Sequence, residues 1–484
     1  MPARTGEQFL QGLKGARDIW VDGARVDDVV DHPALAGAAR ALADVYDLQH
    51  EAADICLMPD PETGEPINVS HIIPSSRADL ERRHKCLERI AEYSSGLMGR
   101  TPDYLNVTYA GFAGGAPEWG AHGNEKGAER LIAYQKTLRR DDLSLTHTIV
   151  TASADKALGD SPFPGDQVNL HKVADTEHGI VVRGARVLAT LAPFADELAI
   201  YPRTPLAEGL EPYALAFCVP MSAPGLKFIC RDSVSGSANR FDHPLSSRFD
   251  EQDAFVIFDN VEVPRDRVFI DGNLPVYNSV MQTSWMPNIM HQTMIRARVK
   301  LEFAWGLARR MAETINASDP ETLQMLGEIW SYAEFTRSAV IAAEAEAREY
   351  GNGFWAPDLR PLYALRCALP GWFPRVNGII RQIGSHFMLA TPRASDFADA
   401  ALRPLLDTYL PGAGGSGADS ERRARVFRLA WDFAGSALGG RNEQYERFYL
   451  GSAGRSLQRA HTVVDTARAD ALVDRFLNEE PESF

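Results

Sequence analysis

HGIVVRGARVLAT, residues 178–190, is one of several short β-branched runs that fill the middle of this chain. The other runs, each bounded by Gly, Pro, Asp or Ser, are THTIV (146–150), ELAIYP (197–202), YALAFCVP (213–220), LKFICR (226–231) and AFVIFDNVEVP (254–264). Runs of this length and composition indicate strands. Because no helical pattern separates them, residues 143–270 are predicted to form an antiparallel sandwich or barrel.

Helical patterns flank this β-rich region on both sides. Residues 32–51 carry one apolar stripe at a period of 3.6 residues, and a second helix is predicted from Ser76 to Gly99. After the β-rich region, an apolar face begins near Met294 and another long helix covers residues 322–350. The pattern predicts an α+β chain that is mainly α. We divide it into an N-terminal helical domain (1–142), a middle antiparallel β-sandwich or barrel (143–272) and a C-terminal helical bundle (273–484).

Composition narrows the class of protein. The 484 residues are 45% hydrophobic and 24% charged, which is typical of a globular chain and excludes a disordered or collagen-like one. The formal net charge of −15 argues against nucleic acid or an anionic membrane surface as a partner. Five scattered cysteines without metal-binding spacing indicate free thiols, a cytoplasmic protein and no metal site. No apolar run approaches the ~18 residues of a membrane span.

A glycine motif near the C-terminus, Gly412, Gly414 and Gly417, matches G-x-G-x-x-G. A dinucleotide-binding fingerprint needs a preceding strand, whereas residues 399–410 look helical and Pro411 precedes the first glycine. We therefore predict a loop between two helices.

Three residues are candidates for chemistry. Arg100 and Tyr104 lie four residues apart around Pro102, where a turn would allow both to face one oxyanion. The alternative is a structural Arg–Asp pair beside a packed tyrosine. His147 lies in a strand-like run, where a lone histidine is usually a satisfied core residue. It gains interest only if it meets Arg100 and Tyr104 in space.

Two further segments are unusual for a pure core. Thr190 is the hydroxyl in the apolar run VLATLAP (187–193), and Gly439, Gly440 and Arg441 separate two helical patterns. Paired glycines allow close backbone approach to a ligand, although they also cap helices.

These residues, taken in order, resemble a known family. The matching segments are GRTPDYLN (99–106), LTHTIV (145–150), RGARVLATLAPFADEL (183–198), FDHPLSSRFDEQDAFVIFDNVEVPRDRVF (241–269) and GGRNEQYERFY (439–449). They resemble the 4-hydroxyphenylacetate 3-monooxygenases, the oxygenase components of two-component flavin monooxygenases. That resemblance implies an acyl-CoA-dehydrogenase-like fold over nearly the whole chain.

The resemblance also implies an activity. Reduced FAD from a separate NAD(P)H-flavin reductase reacts with dioxygen, and the flavin hydroperoxide hydroxylates a 4-substituted phenol at the ortho carbon to give a catechol. Arg100, Tyr104 and His147 match the family's residues around the substrate hydroxyl. A guanidinium favours phenolate, and a neutral histidine can accept the proton.

Flavin and substrate contacts follow from the same resemblance. Flavin contacts are expected at His147, Ser153, Ala154, Asp155, Lys156, Thr190, Gly439, Gly440, Arg441 and Asn442. Arg203 and Thr204 stand where relatives hold the substrate's carboxylate. A homotetramer is expected, and the substrate is either a free phenol, such as 4-hydroxyphenylacetate, a tyrosine-like compound or a halophenol, or one tethered to a carrier protein.

Two alternatives use the same scaffold. An acyl-CoA dehydrogenase needs a carboxylate base, and a 4-hydroxybutyryl-CoA dehydratase ligates an iron–sulfur cluster with three cysteines and a histidine. Neither Arg100–Asp103 nor the segment after His291 contains a cysteine, so cluster ligation is not expected.

Overall fold

The computed structural model describes residues 3–152, 161–235, 239–281 and 285–479. Its N-terminal part is mostly helical, with short strands between the helices. The elements up to Asp141 are α1 (Gly6–Gly12), β1 (Ile19–Val21), β2 (Ala24–Arg25), α2 (Ala36–Glu51), α3 (Ala53–Cys56), β3 (Leu57–Pro59), β4 (Pro66–Asn68), α4 (Arg77–Tyr93), α5 (Pro102–Gly114), α6 (Ala116–Trp119) and α7 (Glu125–Asp141).

The α4–α5 junction differs from the sequence prediction at two points. Helix α4 begins as predicted, because the Ser76 side chain accepts a hydrogen bond from the N–H of Asp79. It ends at Tyr93 rather than Gly99, since Ser95 (φ 52°) and Gly96 (φ 70°) adopt left-handed conformations that a helix cannot continue. Pro102 begins α5 instead of forming a turn, because proline is well suited to the first position of a helix.

Strands dominate the middle of the chain. They are β5 (Leu145–His147), β6 (Val150–Thr151), β7 (His171–Asp175), β8 (Gly179–Thr190), β9 (Glu197–Ile200), β10 (Leu215–Pro220), β11 (Leu226–Cys230), β12 (Asp253–Pro264) and β13 (Val268–Asp271). The long β8 and β12 pair in antiparallel fashion along almost their whole length, from Gly179 against Pro264 to Thr190 against Asp253. The run that opened the sequence analysis is therefore a central strand.

Two separate sheets form, so the sandwich alternative is correct and the barrel alternative is not. Strands of the larger sheet run in the order β2-β1-β11-β12-β8-β6, with β7 also on β8, and those of the smaller in the order β13-β10-β9-β5. The sheets meet through Phe217 and Phe258, whose ring centroids are 6.4 Å apart. Pairing is antiparallel except for β1 with β11 and β5 with β9. Both parallel partners come from chain segments far away in sequence, which is how parallel pairs are connected.

The N-terminal part is thus not wholly helical. Strand β1 pairs with β11 from Ile19 opposite Phe228, which ties the start of the chain to the larger sheet. The division at residues 142 and 272 stays a prediction.

Helices return after Asp271. They and two short strands are α8 (Leu274–Ser279), α9 (Trp285–Ile315), α10 (Pro320–Ala345), β14 (Arg348–Glu349), β15 (Trp355–Ala356), α11 (Leu359–Leu389), α12 (Ala394–Ala398), α13 (Arg403–Tyr409), α14 (Ser420–Ala434), α15 (Ala437–Tyr449), α16 (Ala453–Val463) and α17 (Ala467–Leu477). The glycines 412, 414 and 417 lie in the loop between α13 and α14, as predicted. One hydrophobic core runs through all three parts of the chain, and α9 packs against α4, α5, α10, α11 and α14 within it.

A buried ionic group fixes α15 against α9. Both carboxylate oxygens of Glu446 accept hydrogen bonds from Arg296, at 2.8 and 3.0 Å, and Lys300 donates to the same carboxylate at 2.9 Å. Burial disfavours the carboxylate, but the two cations outweigh it and lower the pKa of Glu446 to about 2. Glu446 therefore stays ionised at any physiological pH.

A second buried cluster joins α4, α9 and α10. Glu344 accepts hydrogen bonds at 2.6 Å from both His84 and His291, and Arg83 donates to Nδ1 of His291 at 3.1 Å. The ligand atoms of His84, His291 and Glu344 lie within 4.8 Å of one another, which is a spacing that could hold a metal ion. Because Arg83 can only donate, Nδ1 of His291 must accept and its Nε2 must carry the proton. The cluster is therefore a hydrogen-bonded ionic network.

All five cysteines are free thiols. In the described part of the chain, every helix is too short or too polar to cross a bilayer.

The His291 network predicts an acid-sensitive stability. Burial lowers the pKa of His291 from 6.5 to about 4. Between these values the unfolded chain binds a proton that the folded chain does not, so the free energy of unfolding decreases as pH falls through this window. We expect His291→Gln to lose roughly 1–3 kcal/mol less than the native chain between about pH 7 and about pH 4.5, measured by urea unfolding. The exposed His178→Gln is the matched control, and equal losses for all three proteins would contradict the assignment.

Candidate active site

Arg100 and Tyr104 meet at the start of α5. Arg100 lies two residues before the helix and Tyr104 in its first turn, so both face the same side. The guanidinium carbon of Arg100 is 3.9 Å from the centroid of the Tyr104 ring. This is a cation–π contact. Asp103, the alternative partner of Arg100, instead accepts a hydrogen bond from Gln292 at 2.9 Å.

His147 completes the group. It ends β5, whose parallel pairing with β9 places it opposite Ala199. Its ring stacks on Tyr104 with centroids 5.3 Å apart and an interplanar angle of 11°, and on its other side it stacks on Tyr201 at 5.3 Å. The structure therefore brings together the three residues that the sequence singled out from distant segments.

Burial sets the charges of this group. It lowers the pKa of His147 well below the usual range, and the nearby Arg100 guanidinium lowers it further, so the imidazole is neutral at physiological pH. Burial likewise raises the pKa of Tyr104, which keeps the phenol protonated. Within the residues that the structure describes, no carboxylate pairs with the guanidinium of Arg100. An unpaired cation thus faces a neutral histidine across an aromatic ring.

Two tyrosines that the sequence analysis missed enclose Arg100 from the other side. Tyr445 and Tyr449 lie one turn apart on α15, with ring centroids 5.6 and 4.2 Å from the guanidinium carbon. Gly99 is required here, because a Cβ atom at this position would lie 2.3 Å from the Tyr445 hydroxyl. The signal was available in the sequence, since Arg441, Tyr445 and Tyr449 repeat every four residues and so share one face of a helix.

Arg203 and Thr204 lie in a neighbouring cleft beyond Tyr201. The cleft is lined by residues of β6, β8 and α8 and of the loops beside them: Ile149, Thr151, Ser161, Pro162, Asn169, Leu170, Arg186, Arg203, Thr204, Leu206, Tyr213 and Tyr277. Arg186 is 7% exposed, its Nε has no hydrogen-bond partner, and burial lowers its pKa. Sequence reasoning missed Arg186 because alternation along β8 does not distinguish a buried arginine from a solvated one.

Thr190 is buried at the end of β8, next to the β12 carboxylate of Asp253. Its hydroxyl donates to Asp253 at 2.7 Å, and its main-chain oxygen accepts from Thr146 at 2.7 Å. With its proton committed to Asp253, the Thr190 oxygen can only accept from a further partner.

Residues 439–442 form part of a helix, not the turn that the sequence indicated. Ser436 caps α15 and accepts from the N–H of Gly439. Arg441 donates to both oxygens of Asp253, at 2.8 and 2.9 Å, and to Glu251 at 2.8 Å, so its guanidinium is occupied by carboxylates. Gly440 is exposed, and a Cβ there would meet no atom within 4 Å. The predicted contacts Ser153, Ala154, Asp155 and Lys156 lie outside the described residues.

Buried polar groups without partners test whether an aromatic ligand fits here. The indole N–H of Trp285 and the hydroxyl of Tyr445 are buried and have no hydrogen-bond partner. Trp285 lies beside Tyr201, with ring centroids 6.2 Å apart. Such groups usually find a partner in a bound molecule or water. Flat aromatic walls with unsatisfied donors fit the flavin and phenol that the family resemblance implies.

Comparisons with known proteins point to one family. The family described as "4-hydroxyphenylacetate 3-hydroxylase N terminal" matches residues 5–270, and "4-hydroxyphenylacetate 3-hydroxylase C terminal" matches residues 276–478. The oxygenase component of 4-hydroxyphenylacetate 3-monooxygenase from Thermus thermophilus is 38% identical over 485 residues, covering 100% of this chain and 99% of that protein. A Streptomyces globisporus monooxygenase of (3S)-3-amino-3-(3-chloro-4-hydroxyphenyl)propanoyl-[peptidyl-carrier protein SgcC2] is 33% identical, covering 93% of this chain and 85% of that protein.

Solved structures give the same result. The oxygenase component (HpaB) of 4-hydroxyphenylacetate 3-monooxygenase, solved with FAD and 4-hydroxyphenylacetate, superposes with a TM-score of 0.93 at 37% identity and covers 98% of both chains. An archaeal 4-hydroxybutyryl-CoA dehydratase from N. maritimus superposes with a TM-score of 0.88 over 100% of this chain and 97% of its own, but at 19% identity it shares only the acyl-CoA-dehydrogenase-like fold. This chain therefore belongs to the 4-hydroxyphenylacetate 3-hydroxylase family, the oxygenase components of two-component, FAD-dependent monooxygenases.

Proposed function

We propose that this protein hydroxylates a 4-substituted phenol at the carbon ortho to its hydroxyl group, and that Arg100, Tyr104 and His147 bind and ionise that hydroxyl. The observation that carries the proposal is the convergence of an unpaired guanidinium, a protonated tyrosine and a neutral histidine in one aromatic cluster. Reduced FAD and dioxygen supply the electrophilic oxygen atom.

The proton moves to His147 in this proposal. Arg100 stabilises the phenolate and so lowers the pKa of the bound phenol. His147 is neutral and has a free lone pair for the proton, while the Tyr104 hydroxyl donates a hydrogen bond to the phenolate oxygen. A phenolate is richer in electrons at its ortho carbon than a phenol is, which is what electrophilic oxygen transfer needs.

Fewer cofactor contacts are proposed for this chain than the family resemblance implied. The Thr190 oxygen would accept an N–H from the edge of the reduced flavin, because its own proton is held by Asp253. Gly439, Gly440 and Asn442 remain proposed contacts on the first turns of α15. Arg441 is held by Glu251 and Asp253, which favours a supporting role for this guanidinium over one that faces a phosphate.

The cleft lined by Arg203 and Thr204 would hold the substituent opposite the phenol hydroxyl. Arg186 and Arg203 line it together, and a cleft with two guanidinium groups favours a substituent that ends in an anion. A carboxylate tail meets this requirement in a free phenolic acid. The relative that acts on a carrier-bound substrate supports the tethered version as a second candidate.

We also propose that the chain forms a homotetramer in the cytoplasm and receives its flavin from a separate reductase. Large apolar side chains are exposed in groups on three helices: Leu323, Trp330, Phe335 and Ile341 on α10, Leu405 and Tyr409 on α13, and Leu472, Val473, Phe476 and Leu477 on α17. Apolar patches of this kind usually mark protein interfaces. Unbridged cysteines support a reducing compartment.

The first prediction from this proposal concerns the reaction itself. With a flavin reductase, NADH and FAD, the protein should convert phenols that carry a 4-linked acidic tail into catechols, detected by mass spectrometry as the gain of one oxygen atom. Neutral 4-alkylphenols should show a KM about tenfold higher, and Arg203→Ala should reduce that difference, since one of the two guanidinium groups that distinguish the tails is then lost. Failure with every free phenol, combined with turnover of a carrier-bound one, would select the tethered substrate.

The second prediction concerns His147. Without a base the bound phenol stays protonated, so His147→Ala should reduce catechol formation by about 10²–10⁴-fold, while NADH oxidation continues and releases hydrogen peroxide. The ratio of catechol to peroxide measures this coupling. His178→Ala, on the surface, is the control. Unchanged coupling in His147→Ala would remove this residue from the mechanism.

The third prediction concerns assembly. Light scattering should give the native protein a mass of four chains. Leu472→Asp with Phe476→Asp should reduce that mass, because charged side chains on the apolar face of α17 oppose its burial between subunits. Asp474→Asn, on the opposite side of the same helix, should leave the mass unchanged. A monomeric native protein would refute the tetramer.

A further inference from the structure

The main chain at Gly99 and Arg100 is anchored by a single buried carboxylate. Glu251, which is 0% exposed, accepts hydrogen bonds from the N–H of Gly99 at 2.5 Å and from the N–H of Arg100 at 2.8 Å, both through Oε1. These N–H groups lie between α4 and α5, where no helix supplies them with an acceptor. On its other side the same segment contacts Tyr445, since a Cβ at Gly99 would meet that hydroxyl. The segment is therefore fixed from two directions.

The second oxygen of Glu251 is committed as well. It accepts from Arg441 at 2.8 Å, and Arg441 also bridges to Asp253, which in turn holds the Thr190 hydroxyl. Buried charges of this kind persist only when they are paired. Arg441 compensates Glu251, and it shares Asp253 with Arg231, whose Nε donates to that carboxylate at 3.1 Å. Glu251, Arg441 and Asp253 thus form a continuous chain from the main chain of Arg100 to Thr190.

We propose that Glu251 is a positioning residue that holds the Arg100 guanidinium against the phenol hydroxyl, with Arg441 as its structural counter-charge. This inference rests on the proposed function, because it takes Arg100 to be the group that stabilises the phenolate. The guanidinium of Arg100 lies among tyrosine rings and has one hydrogen bond, to the main-chain oxygen of Gly99 at 3.3 Å, so no side-chain acceptor fixes it. Its location therefore depends on where its main chain is held.

A glutamine at position 251 cannot replace the carboxylate. Its amide has one acceptor oxygen and one NH₂ group. The NH₂ would face either the two main-chain N–H groups or the Arg441 guanidinium, and both are donors. One of the two attachments must be lost, so the Arg100 segment moves or Arg441 is left partly unpaired.

The test uses 4-nitrophenol as a probe, because its phenol and phenolate absorb at different wavelengths. Bound to the native holoenzyme, it should ionise with an apparent pKa lower than in solution, owing to Arg100. Glu251→Gln should raise the apparent pKa of bound nitrophenol by about one unit, back toward its value in solution. It should also raise the KM for the phenolic substrate, while the KM for reduced FAD changes less than twofold. Glu251→Asp retains the charge and should recover part of the shift.

Two outcomes separate this inference from the proposed function. If the native enzyme leaves the pKa of bound nitrophenol unchanged, Arg100 does not stabilise a phenolate and the proposed function fails. If the native enzyme lowers this pKa and folded Glu251→Gln lowers it equally, the positioning role of Glu251 is wrong while the proposed function stands.

The matched control is Asp60→Asn. Asp60 is also buried, also accepts two main-chain N–H groups, from Glu62 and Thr63, and also pairs with an arginine, Arg139. Its loss should affect stability but not the ionisation of bound nitrophenol.

Should Glu251→Gln fail to fold, Arg441→Lys makes the same test, because lysine cannot bridge both carboxylates. If nitrophenol bound to folded Arg441→Lys then has the same apparent pKa as in the native enzyme, the inference is refuted.

Discussion

Buried charge is the constraint on which this structure depends. Where the sheets meet the C-terminal helices, carboxylates and guanidinium groups are enclosed by apolar side chains, and each must find a partner of opposite charge. Arg441 reaches from α15 to Glu251 and Asp253 beside the large sheet, while Glu446 on the same helix holds Arg296 and Lys300 of α9. One helix is therefore fixed on two sides by ionic groups that would be costly to separate.

The candidate site departs from this pairing, as buried Arg186 in the neighbouring cleft also does. Arg100 is enclosed by Tyr104, Tyr445 and Tyr449, and no described carboxylate compensates its charge. The same enclosure keeps His147 neutral and Tyr104 protonated. A guanidinium without a carboxylate partner among aromatic rings favours an anionic ligand, and a phenolate also has a flat ring that can pack against them.

Local pattern predicted much of the fold. The β-branched runs became strands, the stripe in residues 32–51 became α2, and Ser76 capped α4 as its spacing with Asp79 indicated. The errors lie where local rules leave two outcomes open. Pro102 begins a helix instead of a turn, and Gly439 and Gly440 lie inside α15 because Ser436 caps it and packing supplies what glycine propensity does not. The parallel pairings of β1 and β5 join distant segments, which no window of sequence can register.

The sequence alone determined the order of helical and β-rich parts and the family, and it predicted Arg100, Tyr104 and His147 as site residues, because periodicity and motifs are properties of neighbouring residues. Only the tertiary structure decided that these three side chains meet and that Arg441 pairs with Glu251 and Asp253. It also decided that Tyr201, Tyr445 and Trp285 lie around the candidate site. Those contacts join residues that are far apart in sequence, such as Arg441 and Glu251, 190 positions apart, or Arg100 and Tyr445. Their existence depends on how helices and sheets pack, and packing is decided by the whole chain at once.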